Sequence, residues 1–378
     1  MRKVLLICLL VLLSFSLSGQ SPRLISMGNV NGYIPDDSDI FTYPATINLY
    51  GNNVYGYLGS SSMESSSYNF GFNYQLPEAV IGVYFNKPFH YQAMNQIIEL
   101  EHINLKNNFQ MFLGFKENLA FNFSLAMDSY LEPASPDDDD TEGAVIFGFG
   151  AGYSTDNLDL GLNVLIPGYV KETNFYGRAS VEEKESKMVL DFNGRSILTQ
   201  SGKVDLVGKV DFELVSGTYE VDIDGFDDIT RSLVGIDLGL AGVINIDENN
   251  LLVLGMTPFG FEADEFDNGN ETQTQVIMTI PAFNIGLESK LSKWLVLRSG
   301  IEQRYFTIAQ TMKENDIEST QGWYDSEFSY NMGLGIMFKD FTLDCVFNKD
   351  FLHNGANFIT GESTSDIFGE IMLKYNFK

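Results

Sequence analysis

Apolar side chains recur at every second position in segment after segment of this chain, and that period leaves few folds open. Leu119, Phe121, Phe123, Leu125 and Met127 alternate with Ala120, Asn122, Ser124 and Ala126. Phe328, Tyr330, Met332, Leu334, Ile336 and Phe338 alternate with Ser329, Asn331, Gly333 and Gly335, and Leu158, Leu160, Leu162 and Val164 with Asp159, Gly161 and Asn163. A helix would mix the two sets on one face, whereas a strand sends them to opposite sides. The pattern predicts an all-β chain. A soluble sandwich and a membrane barrel both alternate in this way.

The connections and the C-terminal end separate these two. Short polar turns at Pro77-Glu78, Glu117-Asn118, Asp156-Asn157, Ser292-Lys293 and Lys339-Asp340 alternate with long polar stretches at 128–142, 171–187, 261–274, 307–326 and 352–365. Bacterial barrels have short periplasmic turns and long outer loops, and a sandwich has no such asymmetry. Near the end, Gly369 precedes Ile371, Leu373, Tyr375 and Phe377 at alternate positions. This is the kind of terminal strand that barrel-assembly machinery recognises, here with the aromatic penultimate. The expected architecture is a transmembrane antiparallel β-barrel of about 14 strands, range 12 to 16, with residues 187–202 the least settled part of the count.

The opening residues read as an export signal: Arg2 and Lys3, an apolar run over 4–17, and small residues before expected cleavage after Ser18, Gly19 or Gln20. Cys8 lies within the apolar run, which does not suit a lipid-modified cysteine. The expected division is 1–19 signal, 20–50 an N-terminal hatch and 51–378 barrel, in the outer membrane of a Gram-negative cell.

Without Arg2 and Lys3, 21 basic residues face 51 acidic ones, a charge of −30. That excludes nucleic acid as a partner and suits polar loops and a hydrated lumen. Cys345 alone then remains, so there is no disulfide framework. Aromatic residues at 13% fit the girdles of a barrel.

Catalysis has little support. His90, His102 and His353 are the only histidines, and none has a partner at metal or triad spacing. Gly148, Gly150 and Gly152 alternate with Phe147, Phe149 and Ala151 in a strand, not in a phosphate loop. No enzyme and no cofactor is expected. Asp137, Asp138, Asp139 and Asp140 offer hard oxygens for Ca²⁺, although a solvated loop is the commoner meaning of such a run. Inward glycines, among them Gly71, Gly161, Gly235, Gly239, Gly333 and Gly335, leave lumenal volume for a plug or for a ligand.

Before the first strand, near Asn53, residues 21–50 do not alternate but carry turn signals. The succession Met27-Gly28-Asn29, Asp36-Asp37 and Tyr43-Pro44-Ala45 resembles the N-terminal signature of the FadL-like outer-membrane proteins, with Tyr43 where asparagine is usual. That family includes channels for long-chain fatty acids and aromatic hydrocarbons, and PorV-like proteins of Bacteroidetes secretion. The resemblance implies a 14-stranded barrel with a hatch. It implies a channel for hydrophobic or amphipathic small molecules or, alternatively, a scaffold that binds a secretion-system protein. Beyond such a ligand or protein, the expected partners are outer-membrane lipid and the assembly machinery. In FadL-like channels a kinked third strand opens a side hole. Pro88, ending a strand over 79–86, and Pro281, interrupting one over 276–287, are therefore candidates for a lateral gate, against the plainer readings of a strand end and a bulge.

Overall fold

The computed structural model describes residues 21–61, 65–89, 102–105, 107–115, 118–131, 140–173, 181–223, 227–269, 271–314, 317–349, 352 and 367–377. The expected signal, the loop aspartates Asp137, Asp138 and Asp139, and the histidines His90 and His353 lie outside the described residues.

Among the described residues, sixteen antiparallel strands form one closed barrel. They are β1 (Asn53–Ser61), β2 (Ser65–Gln75), β3 (Ala79–Phe85), β4 (Asn108–Phe115), β5 (Leu119–Leu131), β6 (Thr141–Ser154), β7 (Leu158–Thr173) and β8 (Val181–Ser201). The second half comprises β9 (Val204–Val221), β10 (Ile229–Asn245), β11 (Asn250–Asp267), β12 (Glu271–Lys290), β13 (Leu295–Glu314), β14 (Ile317–Phe338), β15 (Phe341–Phe347) and β16 (Phe368–Asn376). Each strand pairs with its chain neighbours, and β1 closes on β16 from Asn53 opposite Asn376 to Gly59 opposite Glu370. Closure leaves no sheet edge, which a wall surrounded by hydrocarbon requires.

The count of 14 is corrected to sixteen, the top of the expected range. Residues 187–201 belong to β8 and Gly202 to the turn after it; the alternation of β8 is obscured by the charged stretch Glu182, Glu183, Lys184, Glu185 and by a bulge between Ile197 and Thr199. Three long polar stretches are also corrected. Residues 261–267 and 271–274 extend β11 and β12, 307–314 and 317–326 extend β13 and β14, and 181–187 begin β8. Alternation in hydropathy stops where the wall leaves the apolar layer, but the backbone ladder does not. Polar residues on both faces of a hairpin still pair.

The faces divide as the period requires. On β5, Leu119, Phe121 and Met127 are 44%, 53% and 60% exposed while Ala120 and Ala126 are buried. Such apolar exposure around a wall is what lipid contact requires. The short turns gather at one end with the strand termini, and Asn118 and Lys339 adopt positive φ there, at 68° and 55°. An outer aromatic cluster marks the same end: Phe341 and Tyr375 stack at 4.5 Å, and Phe377 lies between Tyr375 and Tyr74 at 6.5 and 6.4 Å. The terminal strand thus contributes Leu373 and Tyr375 to the lipid-facing side, and Gly369 lies one residue into β16. Wall height is unequal. Strands β1 to β4, β15 and β16 have 7 to 11 residues, whereas β8 to β14 have 17 to 22.

Candidate functional site

Residues 21–52 lie against the inward side chains of the barrel and fold by local rules. Ser21 caps a one-turn helix, α1 (Pro22–Ser26), by accepting from the Leu24 N–H at 3.3 Å, with Pro22 at the first position. Gly28 and Asn29, at φ 78° and 57°, end it, and their amides return to Ile25 and Leu24 carbonyls at 3.0 and 3.1 Å. Asp36 and Asp39 form a reciprocal cap on the 3-10 turn Asp37–Phe41, and Pro44 opens a second such turn, Pro44–Leu49. Leu24, Met27, Val30, Ile40 and Ile47 are fully buried.

Glycines on the wall permit this approach. A side chain at Gly300 or Gly286 would collide with Met27 backbone, one at Gly333 with Ser26, one at Gly152 with Pro44 and Ala45, and one at Gly161 with the Thr42 carbonyl. The space left by Gly71 and Gly335 is taken by the wall's own Tyr84 and Arg298, and that at Gly239 by Tyr33 and Lys209. Of the six inward glycines singled out in the sequence, only Gly235 lines open volume.

Ion pairs fasten the segment to the wall. Arg23 donates to Glu288 at 2.9 Å and meets Asp36 at 3.5 Å, and Glu288 also accepts from Arg298, which bonds Asp344. Arg195 contacts Asp39 at 2.8 Å and Asp159 at 2.6 Å, donates to the Ile34 carbonyl, and lies 5.0 Å from the Tyr43 ring centroid. Lys374 pairs with Asp37 at 2.8 Å. Side-chain amides add to these, Asn284 donating to the Gly28 carbonyl at 2.9 Å and Asn29 to the Glu302 carboxylate at 2.6 Å. Burial works against the charge of Asp36, but Arg23 and Ser38 hold its carboxyl below the usual range. Burial and the neighbouring Asp36 charge push Asp37 up to about 6 against the pull of Lys374. All eight signature residues, Met27 through Ala45, therefore lie in the docked segment, where the two aspartates and Tyr43 face cations. The receiving residues Arg195, Glu288, Arg298 and Lys374 were not singled out. Their only sequence signal is a charge at an inward position of a strand.

Above this contact lies a cavity of about 830 Å³. Tyr33, Phe41 and Tyr43 line it from the segment, and the wall adds eight carboxylates, from Asp191 on β8 to Glu370 on β16, against four cations, Lys87, Lys209, Arg304 and Lys349. Lys209 bonds Asp211 at 2.9 Å, and Lys87 stands 4.5 Å from the Phe41 ring centroid.

The two candidate gate prolines have different settings. Pro88 follows β3 and lines the cavity where the wall is low. Pro281 lies inside β12 in a bulge: Thr279 and Ala282 both line the cavity, so the strand changes parity between them. On β11 the same happens between Thr257 and Gly260, and the register sets Pro258 opposite Pro281. Within this strand pair neither proline can donate, and Pro258, Phe259, Ile280 and Pro281 have no ladder partner. Sequence reading took Pro281 alone, because its opposite residue is known only from the register.

His102 stacks on Tyr130 at 3.8 Å and approaches Glu142 at 3.6 Å. Among the described residues no group of three or more candidate metal ligands occurs.

No family model and no curated protein matches the sequence. Among solved structures, the chain is similar to the CymD monoaromatic hydrocarbon channel (11% identity, 96% of this chain and 99% of that one, TM-score 0.40). It is also similar to a FadL homologue of Pseudomonas aeruginosa (10%, 95% and 98%, TM-score 0.39). A third is the unliganded ferric citrate transporter FecA (8%, TM-score 0.36), to which it aligns over 78% of its own length and 64% of the receptor's. At such values function has to be read from the chain's own geometry.

Proposed function

We propose that this chain is an outer-membrane channel for amphipathic small molecules, with residues 21–50 acting as a hatch in its lumen. Lipid-facing apolar residues around a closed wall support the membrane location. One observation carries the channel: the lumen holds a cavity of about 830 Å³ whose floor is a segment tied to the wall by side-chain ion pairs and small-residue contacts. Barrels of about 16 strands are wide enough to leave an aqueous path when nothing occupies them. A floor attached in this way can move without breaking the barrel, since no strand hydrogen bond depends on it. The seam at Pro258 and Pro281 beside the cavity gives such a ligand a second exit, toward lipid.

The test is deletion of residues 21–50 behind the native signal, with conductance measured in planar bilayers and uptake of water-soluble amphipaths in liposomes. The intact chain should conduct weakly and the deletion should open porin-like steps. Equal conductance of both, together with a tightly co-purifying protein lost on deletion, would replace the channel by a secretion scaffold.

A further inference from the structure

The cavity wall carries charge in an arrangement that a barrel gains nothing from in itself. Along one level, Asp191 of β8 stands opposite Glu213 of β9, Glu213 opposite Gly235 of β10, and Gly235 opposite Glu262 of β11. One level away, Asp211 of β9 stands directly opposite Asp237 of β10. All of these line the cavity. Like charges directly opposite on adjacent strands are destabilising. Two cations are close by: Lys209 bonds Asp211, and Arg304 donates to Thr279. Gly235 leaves a notch between Glu213 and Glu262, because a side chain there would meet nothing nearer than 3.7 Å.

A second observation is independent of charge. The hydroxyl of Tyr43, a cavity-lining side chain only 1% exposed, has no hydrogen-bond partner, and the Oδ1 of Asn122, another lining residue, is likewise buried without a donor. Asn122 Oδ1 is thus an acceptor without a donor, and the Tyr43 hydroxyl is free to accept as well as to donate. Ammonium and guanidinium groups have the complementary character, three to five donors and no acceptor. They also suit the aromatic floor, where Lys87 and Lys209 already lie 4.5 and 5.2 Å from the Phe41 and Tyr33 ring centroids.

We infer that the cavity selects ligands bearing a positive charge, an amine or guanidine on a compact body, over carboxylate-bearing amphipaths. This rests on the channel reading and narrows its substrate class. Such a group shares the lumen with Lys209, which is bonded to Asp211. It enters the notch at Gly235, where its charge offsets that of Glu213, Glu262 and Asp237.

Benzylamine, benzyl alcohol and benzoate share a ring and differ in charge, and all dissolve without micelles. Equilibrium dialysis against the full chain in nonionic detergent at pH 7 and low salt should give benzylamine at least tenfold tighter binding than benzoate. An Asp237→Asn, Glu262→Gln double variant, which relieves repulsion and keeps shape, should remove most of that preference, and Asp237→Lys should invert it. Retained preference in the double variant, or benzoate binding as tightly as benzylamine, overturns the inference. If all three bind and permeate equally, the channel stands without charge selection; if none binds or permeates, both readings fail together.

Discussion

Removing the Arg195 guanidinium should release the lumenal segment. Arg195 and Asp39 have side chains 6% and 1% exposed, so Arg195→Met leaves the Asp39 carboxylate in a nearly dry site without its cation. Stripping one partner from a buried pair costs about 3–5 kcal/mol, mostly the desolvation of the charge left behind. Asp159, the wall partner, keeps its bond from the Ser154 hydroxyl, so it is only partly abandoned. Asp39 recovers hydration only if the segment leaves the wall, and that relief favours undocking. Burial pushes the Asp39 carboxyl up to about 7 even beside Arg195, so a proton relieves part of the penalty near neutrality; taking the lower figure of about 3 kcal/mol, the undocked population should rise roughly 10²-fold at pH 9 and less at pH 7. Hydrogen exchange of amides 34–48, followed by mass spectrometry in detergent, measures that population directly, with barrel amides as the internal reference. Asp39→Asn in the Arg195→Met background should recover much of the lost protection, because no bare charge is then buried on the segment. Protection changed by less than about threefold in Arg195→Met, with intact barrel signals, would mean that apolar packing alone holds the segment and that the ionic account is wrong.

Gly300→Val places a side chain on the Met27 and Gly28 backbone, which must move; single-channel conductance should rise above that of the unaltered chain while heat-modifiable migration of the barrel persists. The raised Asp37 value makes docking pH-dependent. A carboxyl more basic when docked than when free adds stability that is complete below its free pKa and lost as pH rises through about 6, so exchange of amides 34–42, corrected for intrinsic rates, should be faster at pH 7.5 than at pH 5, and Asp37→Asn should flatten the difference. Pro258→Val with Pro281→Val gives the seam two N–H donors that it lacks, so transfer of probes from lumen to lipid should slow with aqueous conductance unchanged. A Pro88→Ala variant should leave that transfer as it was, since Pro88 lies beyond the end of β3.

Much of this architecture was legible before any coordinates. Phe121 and Met127 face outward and Ala120 and Ala126 inward because strand side chains alternate without drift, so a few consecutive residues define two faces. The turns at Asp156-Asn157 and Lys339-Asp340, the first strand near Asn53 and the segment before it were found by the same local chemistry. The upper halves of the tall β11 to β14 hairpins were read as loops because they are polar on both sides, and hydropathy reports the surroundings of a strand, not its hydrogen bonds.

What local sequence determines here is whatever acts over a few residues: period two, the Ser21 and Asp36 caps, the Gly28-Asn29 turn and the inward placement of single charges. Only the closed barrel decides which charges meet. Arg23 and Glu288 are 265 positions apart, Lys374 and Asp37 are 337 apart, and Pro258 faces Pro281 by virtue of register alone. The lumen's carboxylate rows have the same origin, since residues on β8, β9, β10 and β11 become neighbours across hydrogen-bonded strands and no local rule in the chain specifies that adjacency.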